Sequence, residues 1–195
     1  MRVFTSLTDP NLARLLREGA VGVIPTDTVY GLAASVSVPS AVARMYRLKH
    51  RERKPGTTIA ASAEQLALLG VPPEMLAQAS SLWPNPLSIL LPVAEQFSYL
   101  HQGLGDCAFR VPAAPAELHQ LLLQTGPLST SSANQPTQPP ATNLAEAQKY
   151  FGEHVDFYVD AGSLGTRPPS TIIRINHNGK IELIRAGAVT IETEE

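Results

Sequence analysis

Apolar residues fall in short blocks whose spacing alternates between helical and extended periods. Leu12, Leu15 and Leu16 recur at helical spacing after Asp9-Pro10, a cap and a first-turn proline, and Gly19 closes the stretch. Val21–Ile24 is a four-residue apolar run, predicting a short buried strand. Ser37–His50 predicts a second helix, with Val42, Met45, Tyr46 and Leu48 toward the core. Thr57–Ala60 reads as a strand. Ser62 then caps a helix carrying Leu66 and Leu69, and Pro72-Pro73-Glu74 opens another that runs to about Leu82. Leu87–Val93 and Cys107–Val111 predict strands flanking a stretch without periodicity. Ala114–Gln124 predicts a helix with Leu118, Leu121 and Leu122 inward. Leu128–Thr130 reads as a strand, Asn143–Phe151 as a helix capped by Thr142 or Asn143, and Val155–Val159 as a strand. Thr171–Ile175 and Lys180–Ile184 flank Asn178-Gly179, the strongest short-range hairpin signal.

Helices and strands interleave and end in an antiparallel hairpin. That order predicts one α/β domain over residues 1–195, built on a mixed sheet. Composition fits a packed core: 44% of residues are hydrophobic and 16% charged, the latter below the usual ~25%. Prolines number 17 and are dispersed, which predicts many fixed turns and not a low-complexity tail. A formal charge of −2 excludes a general polycation, so any phosphate binding must use a local patch. One cysteine, Cys107, excludes an internal disulfide and a multi-cysteine metal site. No apolar run reaches the ~18 residues of a membrane span, and a cytoplasmic location is expected.

Four segments carry candidate chemistry. Thr26-Asp27-Thr28-Val29-Tyr30 follows a predicted strand directly, where α/β folds place binding loops. Lys49-His50-Arg51-Glu52-Arg53-Lys54 concentrates cations after a helix, either as a complement to its dipole or as a polyphosphate clamp. Ser129–Asn134 offers four hydroxyls and an amide in one row, able to hold a carboxylate, hydroxyl or phosphate through neutral hydrogen bonds. Arg110 lies within an apolar strand, so a carboxylate partner or an anionic ligand in a cavity is expected beside it. Phosphate-loop, dinucleotide and nucleophile-elbow patterns are absent, and the five histidines are scattered.

In this order, Thr26–Leu32, Lys49-His50-Arg51, Trp83–Ser88, Arg110-Val111-Pro112, Ser132-Ala133-Asn134, Pro169-Ser170-Thr171 and Arg185-Ala186-Gly187 resemble the YrdC-like family of threonylcarbamoyl-AMP synthases. The resemblance spans about Gly22 to Gly187 and matches the short bacterial form. It implies a twisted mixed sheet with flanking helices around a large open cavity. It also implies a reaction in which L-threonine, bicarbonate or CO2, and ATP give threonylcarbamoyl-AMP and pyrophosphate, the first step of the tRNA modification t6A. By resemblance, Lys49, Arg51, Ser132 and Asn134 form a catalytic tetrad. Thr28, Arg110, Ser132 and Ser170 would bind L-threonine, Arg110 through the carboxylate. Lys49, Arg51, Lys54, Asn134, Thr142 and Arg185 would bind ATP. Mg2+ would arrive on the triphosphate with no dedicated protein site. Partners implied are the enzymes that transfer the threonylcarbamoyl group, and a contact with tRNA.

The chain departs from the family pattern in places. Only Glu52 and Arg53 separate Arg51 from Lys54, so Arg53 or Lys54 takes the second-cation role. Gly56 replaces a usual leucine, and Asp106 stands where a hydroxyl is usual near ATP. The competing reading is a non-catalytic RNA- or nucleotide-binding module of the same fold. A maturation protein acting on another carbamate is less suited, because its further domains have no room here.

Overall fold

The computed structural model describes residues 2–50, 53–176 and 179–191. Ten strands form one sheet: β1 (Arg2–Phe4), β2 (Gly22–Pro25), β3 (Tyr30–Ser35), β4 (Thr57–Ile59), β5 (Leu87–Pro92), β6 (Asp106–Arg110), β7 (Leu128–Ser132), β8 (Phe157–Val159), β9 (Thr171–Ile175) and β10 (Ile181–Arg185). Their order across the sheet is β1-β8-β2-β3-β7-β4-β6-β5-β9-β10. The helices are α1 (Pro10–Arg17), α2 (Pro39–Leu48), α3 (Ala63–Ala67), α4 (Pro73–Ser80), α5 (Ala116–Thr125) and α6 (Leu144–Phe151). The α/β architecture and mixed sheet thus match expectation, with parallel pairs β1–β8, β2–β8, β4–β6 and β5–β9 among antiparallel ones.

Local signals set most helix starts. Asp9 caps α1 by accepting from the Asn11 amide, and Asn143, not Thr142, caps α6 by accepting from the Glu146 amide. Two strands were not expected. β1 is a three-residue edge, and β3 returns antiparallel beside β2, so Tyr30-Gly31-Leu32 belongs to a strand and not to a loop. β3 is buried at all six positions and shows no polar alternation. β7 extends to Ser132, placing the hydroxyl row in the sheet and not in a turn.

Two cores lie on opposite faces of the sheet. Leu32, Phe109, Ile89 and Ile173 pack with α2, α3, α4 and α6 on one face. On the other, Ala33, Ile59 and Leu128 pack under α1 and α5. α1 and α5 cover only part of that second face. Beyond them, register aligns Ala33, Thr130, Thr57 and Ala108 across β3, β7, β4 and β6, a row of small side chains. Small residues there leave a concavity. Gly56, which replaces the expected leucine, is required by it: a β-carbon would lie 2.1 Å from the Thr130 carbonyl oxygen. Gly187 is pinned likewise, 2.3 Å from the Pro169 oxygen.

Cys107 is buried, and burial together with the Asp106 charge pushes its thiol up to about 12 from 9.0. Between those values the unfolded chain gives up this proton while the folded chain keeps it. Folding stability therefore falls as pH rises through that window, by roughly 1.4 kcal/mol per pH unit from this group. Urea titrations from pH 8 to 11 should show a falling midpoint in the wild type. Cys107→Ala should fall less steeply, and equal slopes would exclude the thiol as a source. Tyr158, pushed to about 12 by burial, adds to the decline in both chains.

Candidate active site

The exposed part of the concave face is a cavity of about 90 Å3, open to solvent. Thr26, Thr28 and Gly31 bound it at the β2–β3 turn, Thr57, Ala108, Thr130 and Ser132 form the floor, and Ser170 and Arg185 close the far side. The lining mixes hydroxyl side chains with glycine, proline and apolar positions, and carries cationic Arg110 and Arg185 and no carboxylate among the described lining residues.

The hydroxyls are held by local bonds. Thr26 Oγ1 donates to the Val29 carbonyl (2.7 Å) and lies 3.1 Å from Thr28 Oγ1, which fixes the turn. Thr130 Oγ1 donates to the Thr57 carbonyl. Ser88 Oγ donates to Ser170 Oγ at 2.9 Å, and the Arg185 guanidinium donates to the Ser170 carbonyl. Ser131 pairs with Leu32 and so turns its side chain to the other face, where its Oγ is buried without a hydrogen-bond partner among the described residues.

At the end of β7 stands a second group. Lys49, the residue after α2, is 3% exposed, and its ammonium reaches the Ser132 carbonyl (2.8 Å), the Asn134 carbonyl and Asn134 Oδ1 (2.7 Å). Ser132 Oγ donates to the same Oδ1 at 2.6 Å. The Asn134 amide donates to the carbonyls of Gln135 and Gln138, which fixes its orientation. Three members of the tetrad implied by the resemblance, Lys49, Ser132 and Asn134, are hydrogen-bonded to one another. Arg51, its fourth member, lies outside the described residues, as does Asn178 of the hairpin turn.

Arg110 projects from β6 onto the cavity floor, its side chain 5% exposed. The expected carboxylate partner is Asp27, from the β2–β3 turn, with Nη2 and Oδ1 3.0 Å apart. Neither Asp27 oxygen nor Arg110 Nε has a hydrogen-bond partner among the described residues, so the contact is an ion pair without hydrogen-bond alignment. Burial raises the Asp27 carboxyl above its usual range, and the Arg110 charge pulls it back only in part. Burial also works against the Arg110 charge, which Asp27 supports.

Thr28, Ser132, Ser170, Arg110 and Arg185 share the cavity, with Lys49 and Asn134 bonded to Ser132. Two predicted ATP contacts lie elsewhere. Lys54 lines the adjoining groove with Tyr46, Arg47 and His50, and its amide donates to Gln102. Thr142 donates through its amide and hydroxyl to Glu146, at the start of α6. Asp106 is not on the cavity lining and lies 3.6 Å from Arg174. The sequence reading passed over Thr57 as a site residue, and it placed Thr26 and Thr130 in candidate segments and Asp27 beside them without giving Asp27 the role of counter-ion to Arg110. Register across four strands brings these together, and no local spacing announces it.

Fold and site define an α/β protein with a cavity on one sheet face that is lined by hydroxyls and two guanidinium groups. The chain belongs to the Sua5/YciO/YrdC family, whose sequence model, described as "Telomere recombination", matches residues 14–187. A threonylcarbamoyl-AMP synthase of Halorhodospira halophila is 34% identical over 168 residues, 84% of this chain and 87% of that protein. The threonylcarbamoyl-AMP synthase of Pyrococcus abyssi is 32% identical over 187 residues, and this chain spans 94% of itself but 55% of that longer protein. The crystal structure of P. abyssi Sua5 complexed with L-threonine superposes with a TM-score of 0.83 at 28% identity, covering 96% of this chain and 58% of that one. E. coli YciO, at 21% identity and a TM-score of 0.80, covers 96% of both chains and bears on the fold alone. Among the described residues, no helix is long and apolar enough to cross a membrane.

Proposed function

We propose that this chain is a threonylcarbamoyl-AMP synthase, joining L-threonine, bicarbonate or CO2, and ATP into threonylcarbamoyl-AMP and pyrophosphate. The observation that carries the reading is a buried ammonium, Lys49, fixed on Ser132 and Asn134 beside a cavity whose floor holds a buried guanidinium. One cationic group suits a phosphate chain and the other a carboxylate, as an amino acid and ATP in one cavity require.

In this mechanism Arg110 takes the threonine carboxylate, and Thr28, Ser132 and Ser170 surround the rest of the amino acid. The threonine amine, once deprotonated, adds to the carbon of CO2 as one C=O π bond opens, and the N–H proton released goes to solvent, giving a carbamate without a strong protein base. A carbamate oxygen then attacks the α-phosphorus of ATP. The new P–O bond forms as the bond to the bridging oxygen of the β-phosphate breaks, and pyrophosphate leaves. Such transfers depend on positioning and charge stabilisation, assigned here to Lys49, Arg51 and Arg185, with Ser132 and Asn134 holding the Lys49 ammonium in place. Mg2+ would arrive with ATP as part of the substrate, where it would offset phosphate charge, and the described cavity lining has no carboxylate to hold it separately. Lys54 and Thr142 are assigned no contact. Downstream enzymes would pass the threonylcarbamoyl group to tRNA adenosine, and a direct tRNA contact belongs to the same reading.

A non-catalytic RNA- or nucleotide-binding module is less favoured, because a guanidinium as buried as that of Arg110, already paired with Asp27, suits a small carboxylate better than a polymer. The deciding measurement is pyrophosphate release from MgATP with bicarbonate, with and without L-threonine, with mass spectrometry of the product and L-serine as control. Threonine-dependent release with a threonylcarbamoyl-AMP product is expected. No release from a folded, ATP-binding chain would reject the synthase.

A further inference from the structure

Asp27 and Arg110 sit back to back between two cavities. Arg110 lines the main cavity. Asp27 lines a second opening at the carboxyl ends of β1, β2 and β8, whose described charged neighbours are Glu117 at the start of α5, and Asp160 and Arg167 after β8. The Asp27 side chain is 3% exposed and its ion pair is Arg110. A buried guanidinium without a counter-ion is strongly unfavourable, so in the ligand-free protein Asp27 supplies the missing charge. Arg110 Nε has no hydrogen-bond partner among the described residues, and Arg110 lines the main cavity, so the guanidinium edge that faces the cavity can take a further acceptor.

A substrate carboxylate arriving at that edge brings a second anion to one buried guanidinium. Two carboxylates sharing one site cannot both remain ionised at low cost. We propose that Asp27 is an exchangeable counter-ion: it neutralises Arg110 in the empty protein and takes up one proton from solvent when the threonine carboxylate binds. The inference rests on the functional reading above. Its balance is simple: a carboxylate oxygen of Asp27 gains a proton, no other bond forms or breaks, and the net charge around Arg110 is the same before and after binding. Of the facing groups, the Asp160 and Glu117 charges favour that protonation and the Arg167 charge opposes it. Asp27 acts through Arg110 and is a positioning residue.

Titration calorimetry of the wild-type chain with L-threonine, without ATP or bicarbonate, tests this in buffers of different ionisation enthalpy. The observed enthalpy should vary with the buffer and report uptake of about one proton. The amine-free 2,3-dihydroxybutyrate should give the same uptake, which excludes the substrate amine as its source. The threonine dissociation constant should rise about tenfold per pH unit where Asp27 is ionised in the free protein. In Asp27→Asn, a neutral mimic of the protonated acid, both the uptake and this pH slope should vanish. Binding without buffer dependence in the wild type overturns the exchange while leaving the synthase reading intact, and needs no variant. An unchanged slope in a folded Asp27→Asn also overturns it. No binding of threonine with ATP binding retained overturns both.

Discussion

Lys49→Ala is expected to lower threonine-dependent pyrophosphate release by about 10²–10³-fold, the usual loss when one preorganised charge donor is removed from a transferring phosphoryl group. The magnitude follows from burial. At 3% exposure the ammonium acts where water screens little, and its position is over-determined by oxygens from Ser132 and Asn134. The same bonds set a structural cost. Removing the donor strands buried acceptors, a loss of about 1–3 kcal/mol. Lys49→Ala must therefore be read against its thermal midpoint, with Lys49→Arg as companion. Arginine keeps the charge but cannot fit its planar fork into a pocket shaped by three converging oxygens. Both variants should keep threonine binding and lose kcat. Turnover within threefold of the wild type in both would remove Lys49 from the chemistry.

Helices and most strands were legible because local cues act within a few residues: Asp9-Pro10 starts α1 and Asn143 starts α6. The hairpin of β9 and β10 was legible for the same reason, with Gly179 in the left-handed region at φ 79°. β3 was not. Six consecutive buried positions leave no period to read, and the polar Thr-Asp-Thr before it resembles a loop. The site divides the same way. Arg110 in an apolar strand announced a partner, since a buried guanidinium needs one, but nothing in the sequence could select Asp27, 83 positions away, before β2–β3 register set the turn beside β6. Thr142 shows the converse. Its spacing to Glu146 is that of a helix start, and the structure spends its hydroxyl there.

Arg110→Met should be the most damaging single change to the fold, costing about 3–5 kcal/mol, because it leaves the Asp27 carboxylate buried without a cation. The loss carries a pH signature. Burial already holds Asp27 above its model value of 3.8, and without Arg110 nothing of that size opposes the rise. The folded variant then binds more protons than the unfolded chain above pH 3.8, so its stability falls as pH rises from there. Asp27→Leu combined with Arg110→Met removes both charges and should recover most of the lost stability, since an apolar replacement for a buried pair is often neutral or better. Threonine-dependent turnover should stay lost in the double variant, because no guanidinium remains for the substrate carboxylate. The two readouts separate what the pair does for the fold from what Arg110 does for the substrate. Denaturant midpoints at pH 5 and 8, beside pyrophosphate release, make the comparison. A double variant that regained turnover would show that the carboxylate is held elsewhere, and a single variant as stable as the wild type would show that Asp27 had never depended on Arg110.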